Sequence, residues 1–190
     1  MLKRMKVDLG FKSVQMANIE PQIYFPWSLE RRMEFLGAPS VESLCKTMIM
    51  ENTNYREQNA DDPHYVKYLV VVIQYCRNIN AQKVLNYAKQ YQNSYYTEKG
   101  DESKKIGAKG FKFRLASKQA MADLSGYEHN AVTPLFMKSE LAVVLDEHIA
   151  ELDPAYFWMG GGRLSLKLGI SLEHFKAYLG PRYQTADITY

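Results

Sequence analysis

YVKYLVVVIQY (residues 65–75) is the stretch on which the fold turns. Its centre, Leu69, Val70, Val71, Val72 and Ile73, is apolar without alternation, the pattern of a strand buried on both faces of a sheet. The run is far below the ~20 residues that a membrane-spanning helix needs. C-terminal to it, Asn80 caps a helix whose apolar positions Ala81, Val84, Leu85 and Ala88 follow the i, i+3, i+4, i+7 spacing. N-terminal to it, residues 52–64 are polar and contain Asp61, Asp62 and Pro63, which reads as a loop. Residues 47–51 read as a strand before that loop, preceded by a short helix after Ser40. A longer helix is capped by Ser28, carries Leu29, Met33 and Leu36 on one face and stops at Gly37.

Downstream, residues 111–115 alternate like a strand. Ser117 caps a helix with Ala120, Met121 and Leu124 that ends near Gly126. Further strands are expected at 131–133, 141–145 and 156–159. After Gly160, Gly161 and Gly162, the residues Leu164, Leu166 and Leu168 alternate with Ser165 and Lys167, the period of a half-buried strand. A last helix starts at Ser171 with Leu172, Phe175 and Leu179 on one face. No repeat or low-complexity linker divides the chain, so one α/β domain over residues 1–190 is expected, with strands outnumbering the helices that cover them.

The 190 residues, 46% of them hydrophobic, suffice for one core that needs neither a disulfide nor a structural metal. Cys45 and Cys76 lack CxxC spacing and no apolar leader precedes the domain, which together point to a reducing compartment, the cytosol by default. Net charge is only +3, but residues 99–118 carry seven cations (Lys99, Lys104, Lys105, Lys109, Lys112, Arg114, Lys118) against Asp101 and Glu102. Such a stretch is either a phosphate-binding surface or a solvated lysine-rich loop.

Signatures of familiar chemistry are missing: no GxSxG, GxxxxGK[ST], GxGxxG or HExxH occurs, and His64, His129, His148 and His174 lack metal-ligand spacing. No metal or cofactor is therefore expected. Asp146 and Glu147 are neighbours that point different ways, so a capping role fits them better than an acid–base pair. Two candidates remain. Gly160, Gly161 and Gly162 can present successive N–H groups to an oxygen, or can simply turn a hairpin. Lys46, between Cys45 and the apolar Met48, Ile49 and Met50, is either a shielded point charge for a carbonyl or phosphate, or an ordinary snorkelling lysine.

Four segments occur in a telling order: Cys45-Lys46-Thr47 opening a strand, FKFRLA (residues 111–116) before a helix, SGYEHNAVTP (residues 125–134), and Gly160-Gly161-Gly162 before LSLKL. Together they resemble the YbaK/EbsC family, the aminoacyl-tRNA deacylases related to the editing domain of bacterial prolyl-tRNA synthetases. The resemblance is strongest over residues 40–179, with 1–39 as an N-terminal helical extension. It implies a mixed, largely antiparallel sheet curled into a partial barrel with surrounding helices. The implied activity is trans-editing, hydrolysis of the ester that joins a wrong amino acid to tRNA. Misacylated tRNA would be the partner, with an aminoacyl-tRNA synthetase as a further one, and a monomer is expected.

Carried over residue by residue, Lys46 matches the lysine required for deacylation and Thr47 the residue that follows it. Gly126 and Pro134 match the ends of a glycine-rich stretch, and Gly160, Gly161 and Gly162 match the second glycine loop. The paired glycines before the proline are Asn130 and Ala131 here, and Phe136 stands where glycine is usual, as in a eukaryotic-looking branch. The resemblance then assigns Lys46 and the main chain at Ala131 to catalysis. Thr47, His129, Asn130 and the three glycines would bind substrate, and Lys104, Lys105 and Lys109 would contact tRNA. The alternative is a non-catalytic module on the same fold that binds tRNA, a nucleotide or a synthetase.

Overall fold

The computed structural model describes residues 1–190. In chain order the elements are β1 (Gln15–Asn18), α1 (Pro21–Tyr24), α2 (Leu29–Leu36), β2 (Cys45–Asn52), β3 (Tyr68–Gln74), α3 (Ala81–Lys99), β4 (Phe113–Leu115), α4 (Lys118–Ser125), β5 (Val143–Asp146), α5 (Glu147–Ala150), β6 (Tyr156–Gly160), β7 (Leu166–Ser171), α6 (Leu172–Leu179) and β8 (Tyr183–Ala186). The helix boundaries follow the caps that the sequence supplies. Ser28, Asn80, Ser117 and Ser171 each accept a hydrogen bond from a first-turn N–H.

Two sheets form. One has five strands in the order β4-β2-β3-β5-β8 and the other three in the order β1-β7-β6. Four pairings are antiparallel, while β3–β5 and β5–β8 are parallel, so the architecture is mixed and largely antiparallel as expected. The sheets do not close into a barrel; a single bridge, Leu44 to Trp158, joins their edges. β3 is central and buried on both sides. Val70 and Val72 face the core shared with β6, β7 and α6, whereas Leu69, Val71 and Ile73 face the core under α3. Each of these five side chains contributes roughly 1.5–3 kcal/mol of burial, which makes this strand the axis of the domain.

Several local expectations are corrected. Residues 131–133 are buried but form no strand, because Ala131 and Val132 pack beneath β6 instead of joining a ladder. The strands expected at 111–115 and 141–145 are shorter and shifted. β1 and β8 were not legible in the sequence. Residues 1–39, read as a helical extension, place β1 in the three-stranded sheet and Met5, Phe11 and Val14 in the main core. Asp146 is fully buried and caps α5: it accepts from the His148 N–H and ring and from the Ile188 N–H. No helix is long and apolar enough to cross a membrane.

Candidate functional site

The site arises where the two sheets part. Asn52 N–H donates to Lys67 O and Tyr75 N–H donates to Leu44 O, so the even-numbered residues of β2 turn their main chain to β3. The odd-numbered residues turn to the outer edge. Ala116 N–H takes Ile49 O there, but β4 ends at Leu115, and Thr47 is left with its N–H and C=O on open edge. On β6 the bonds Gly161 N–H to Leu166 O and Leu172 N–H to Ala155 O place the odd-numbered residues against β7. Gly160, paired with Lys167 in a non-hydrogen-bonded position, therefore turns its N–H toward the β2 side. Beyond the Leu44–Trp158 bridge these two edges splay around a cleft of about 350 Å³.

Lys46, Thr47, His129, Asn130 and Gly160 all line this cleft. Lys46 is half-buried, makes no ion pair, and holds its Nζ 5.7 Å from the centre of the Tyr75 ring. Burial lowers its pKa from the ordinary lysine value. Thr47 Oγ1 is buried without a hydrogen-bond partner. Cys45 is no candidate nucleophile, because burial holds its thiol well above its usual pKa.

The other glycines of the triplet turn the hairpin. Gly161 N–H is used by Leu166 O, and Gly162, at φ 87°, gives its N–H to Ala131 O and packs on Tyr127. Gly160 is glycine because the backbone comes close: a Cβ there would lie 2.8 Å from Val132 O and 3.2 Å from Ala131 O. Neither carbonyl can swing away. Gly160→Ala is therefore expected to destabilise the fold by about 1–3 kcal/mol in denaturant titration. Gly107→Ala, which meets nothing within 4 Å, serves as the neutral control. Equal stability of the two variants would show that the approach is not tight.

The role expected of the Ala131 main chain is corrected. Ala131 is fully buried, its N–H donates to Glu128 O and its C=O receives Gly162 N–H, so it props the glycine hairpin and has no donor to offer. Of the three residues that replace glycines of the resembling pattern, Asn130 and Phe136 are the chain's two non-glycine residues with positive φ, at 66° and 57°, whereas Ala131 has no positive φ. The backbone that favours glycine is thus present at two of the three positions. Asparagine tolerates it readily, and for Phe136 the strain of roughly 1–2 kcal/mol is offset by contacts. Its N–H donates to Tyr178 OH and its ring lies under the Arg4 guanidinium at 4.6 Å.

The cleft also contains residues that the sequence did not nominate. Arg32 of α2 donates from Nη2 to Phe25 O at 2.6 Å, lies 5.0 Å from the Tyr24 ring and 5.5 Å from Tyr75, and leaves a buried Nε without a partner. Lys167 of β7 is only 6% exposed and donates to Leu164 O at 2.9 Å. Its Nζ sits 4.7 Å from the Tyr24 ring and 4.9 Å from Phe25. Burial, with Arg32 as a second cause, pushes its pKa down to about 8. Trp158 Nε1 is buried and unpartnered. Three cations and four aromatic rings thus line a cleft that has no Asp or Glu in its wall. No three His, Cys, Asp or Glu side chains converge anywhere in a way that could hold a metal ion.

Lys104, Lys105 and Lys109 lie elsewhere, on a second, polar cleft with Arg56 and Tyr96. Lys104 pairs with Asp101 at 3.4 Å and Lys105 with Glu102 at 2.6 Å, while Lys109 makes no ion pair.

Neither a family model nor a curated protein sequence matches the chain. Solved structures do. A proposed trans-editing enzyme for prolyl tRNA synthetase is 14% identical with a TM-score of 0.67, over 100% of this chain and 94% of the other. A hypothetical protein is 18% identical with a TM-score of 0.66, over 100% and 99%. A scaffold used in epitope backbone grafting by computational design is 14% identical with a TM-score of 0.68, over 100% and 94%. At these identities the likeness establishes a common fold, the YbaK-like one, and nothing finer.

Proposed function

We propose that the cleft binds the aminoacylated end of a misacylated tRNA and hydrolyses its ester in trans. One observation carries the reading: three of the six buried side-chain polar atoms without a partner, Arg32 Nε, Thr47 Oγ1 and Trp158 Nε1, line this single cleft together with Lys46. Unsatisfied buried polar groups are costly, and their convergence on a cleft marks a place where a ligand supplies the missing partners. The aromatic walls suit a nucleobase and the cations suit phosphate. The likeness to a structure described as a proposed trans-editing enzyme supports the same reading at the level of fold.

In this mechanism no protein nucleophile is needed. Lys46 and the outward N–H of Gly160 hold the oxygen on which negative charge develops, as preorganised donors do at other acyl-transfer sites. His129 and Asn130, on the rim, bond the aminoacyl group. Water, assisted by the substrate's own ribose hydroxyl, attacks the carbonyl carbon. The direct test is a deacylation screen with tRNA-Pro carrying Cys, Ala, Ser or Thr. Hydrolysis above the buffer rate for at least one ester is expected.

One observation favours a second reading, a non-catalytic module that binds tRNA, a nucleotide or a synthetase through this cleft: the Ala131 N–H is already used, which removes one donor from the oxyanion side. Tight tRNA binding with no hydrolysis of any ester would decide for that module.

Lys104, Lys105 and Lys109 are assigned to the tRNA backbone. The Lys104–Asp101 and Lys105–Glu102 pairs lie at the surface, where such pairs are worth little and open readily to phosphate. Replacing all three by Gln is expected to weaken tRNA binding and to lower the slope of log K against log salt by roughly one for each lost contact. An unchanged slope would remove this surface from the tRNA path.

A further inference from the structure

Lys167 is an anomaly in stability terms. A buried ammonium is normally paired with a carboxylate, because an isolated charge loses several kcal/mol of hydration. Here the wall of the cleft holds no acid, and the charge that bears on Lys167 is the like-signed Arg32. Both cations lie over one ring, that of Tyr24, at 4.7 and 5.0 Å. Ring contacts of this kind return only part of the lost hydration. The Leu164 carbonyl uses one of the three ammonium donors, and Phe25 O uses one nitrogen of the guanidinium.

The donors left over are informative. Arg32 Nε, Trp158 Nε1 and the remaining ammonium hydrogens are all donors, and these side chains have no acceptor to satisfy one another. An acceptor-rich ligand would complete them. A like-charged pair held in place before the ligand arrives, at the expense of stability, is the arrangement that binds an anion without further reorganisation. We propose that the Arg32–Lys167 end of the cleft is a receptor for a compact oxyanion, a carboxylate or phosphate. Ligands are then selected by negative charge at that end and not by apolar fit. The inference rests on reading the cleft as the substrate site. Within that reading the oxyanion has two sources, the side chain of an acidic aminoacyl group or a phosphate of the nucleic acid.

Isothermal calorimetry at constant ionic strength tests it with inorganic phosphate, adenosine 5′-monophosphate and N-acetylglutamate, and with adenosine as the uncharged control. At least one oxyanion should bind the wild type, and Lys167→Met should weaken it at least about 10-fold, the effect of losing one charge-assisted contact. Arg32→Met, changed on the helix side, should do the same and keeps the test open if Met at 167 fails to fold. Binding of phosphate and the monophosphate assigns the site to the nucleic acid; binding of N-acetylglutamate assigns it to an acidic aminoacyl group. No oxyanion binding, or equal binding to both variants and the wild type, overturns the receptor. Lys167-dependent binding without ester hydrolysis leaves the receptor standing and sinks the deacylase. Ester hydrolysis without such binding does the reverse.

Discussion

Lys46→Ala is expected to slow ester hydrolysis on the order of 10²- to 10³-fold, the loss seen when one preorganised electrostatic donor is removed. The expectation rests on position: Lys46 lies on the open part of β2, facing the cleft that Gly160 borders, with no carboxylate to neutralise it. Stability should hardly change, within about ±0.5 kcal/mol, because the side chain is only half-buried and bonds nothing. Rate and melting therefore separate. Lys46→Arg is the sharper control, since a planar fork keeps the charge but does not replace a compact ammonium near Tyr75. Because burial lowers the pKa of Lys46, the rate should begin to fall on the alkaline side before an exposed lysine would titrate. Wild-type rates from the Ala variant would take Lys46 out of the mechanism.

Lys167→Met is expected to stabilise the free protein by up to about 3 kcal/mol at pH 7, the equivalent of a lysine pKa held near 8 instead of 10.5. In a domain of this size that is several degrees of melting temperature, at about 2–4 °C per kcal/mol. Linkage fixes the pH dependence. Below pH 8 the lysine is charged in both states, so the full penalty of burial is present. Between the folded value and 10.5 the unfolded chain holds a proton that the folded chain has shed, so wild-type stability gains with rising pH across that window. The variant should lack this gain. Denaturant titrations of both proteins from pH 7 to 10.5 measure it, and parallel curves would mean that the Lys167 charge is compensated inside the fold. A variant that is more stable yet has lost oxyanion binding would show stability exchanged for a preformed site.

Much of the scaffold was written in the sequence. The run Leu69 to Ile73 has no polar alternation and so requires apolar cover on both faces, which β3 receives. Ser28, Asn80, Ser117 and Ser171 mark helix starts because an N-cap is a local interaction, settled within four residues. The order of four motifs grouped Lys46 with the whole triplet Gly160, Gly161 and Gly162; of these, Lys46 and Gly160 line one cleft, while Gly161 and Gly162 turn the hairpin.

Only the tertiary structure decided the rest. Nothing in QMAN or YQTA marks β1 and β8 as strands, since four residues carry too little periodicity and their pairing with β7 and β5 supplies the bonds. Alternation in LSLKL assigned Lys167 to the polar face of its strand. It could not say that Tyr24 and Phe25, more than 140 residues earlier, would cover that face and bury the ammonium. Arg32 likewise reads as one charge on an amphipathic helix until α2 is laid beside β6. A period of two or 3.6 residues fixes which way a side chain points, but what it meets there depends on contacts between segments far apart in the chain, and the Arg32–Lys167 end of this cleft is made of such contacts.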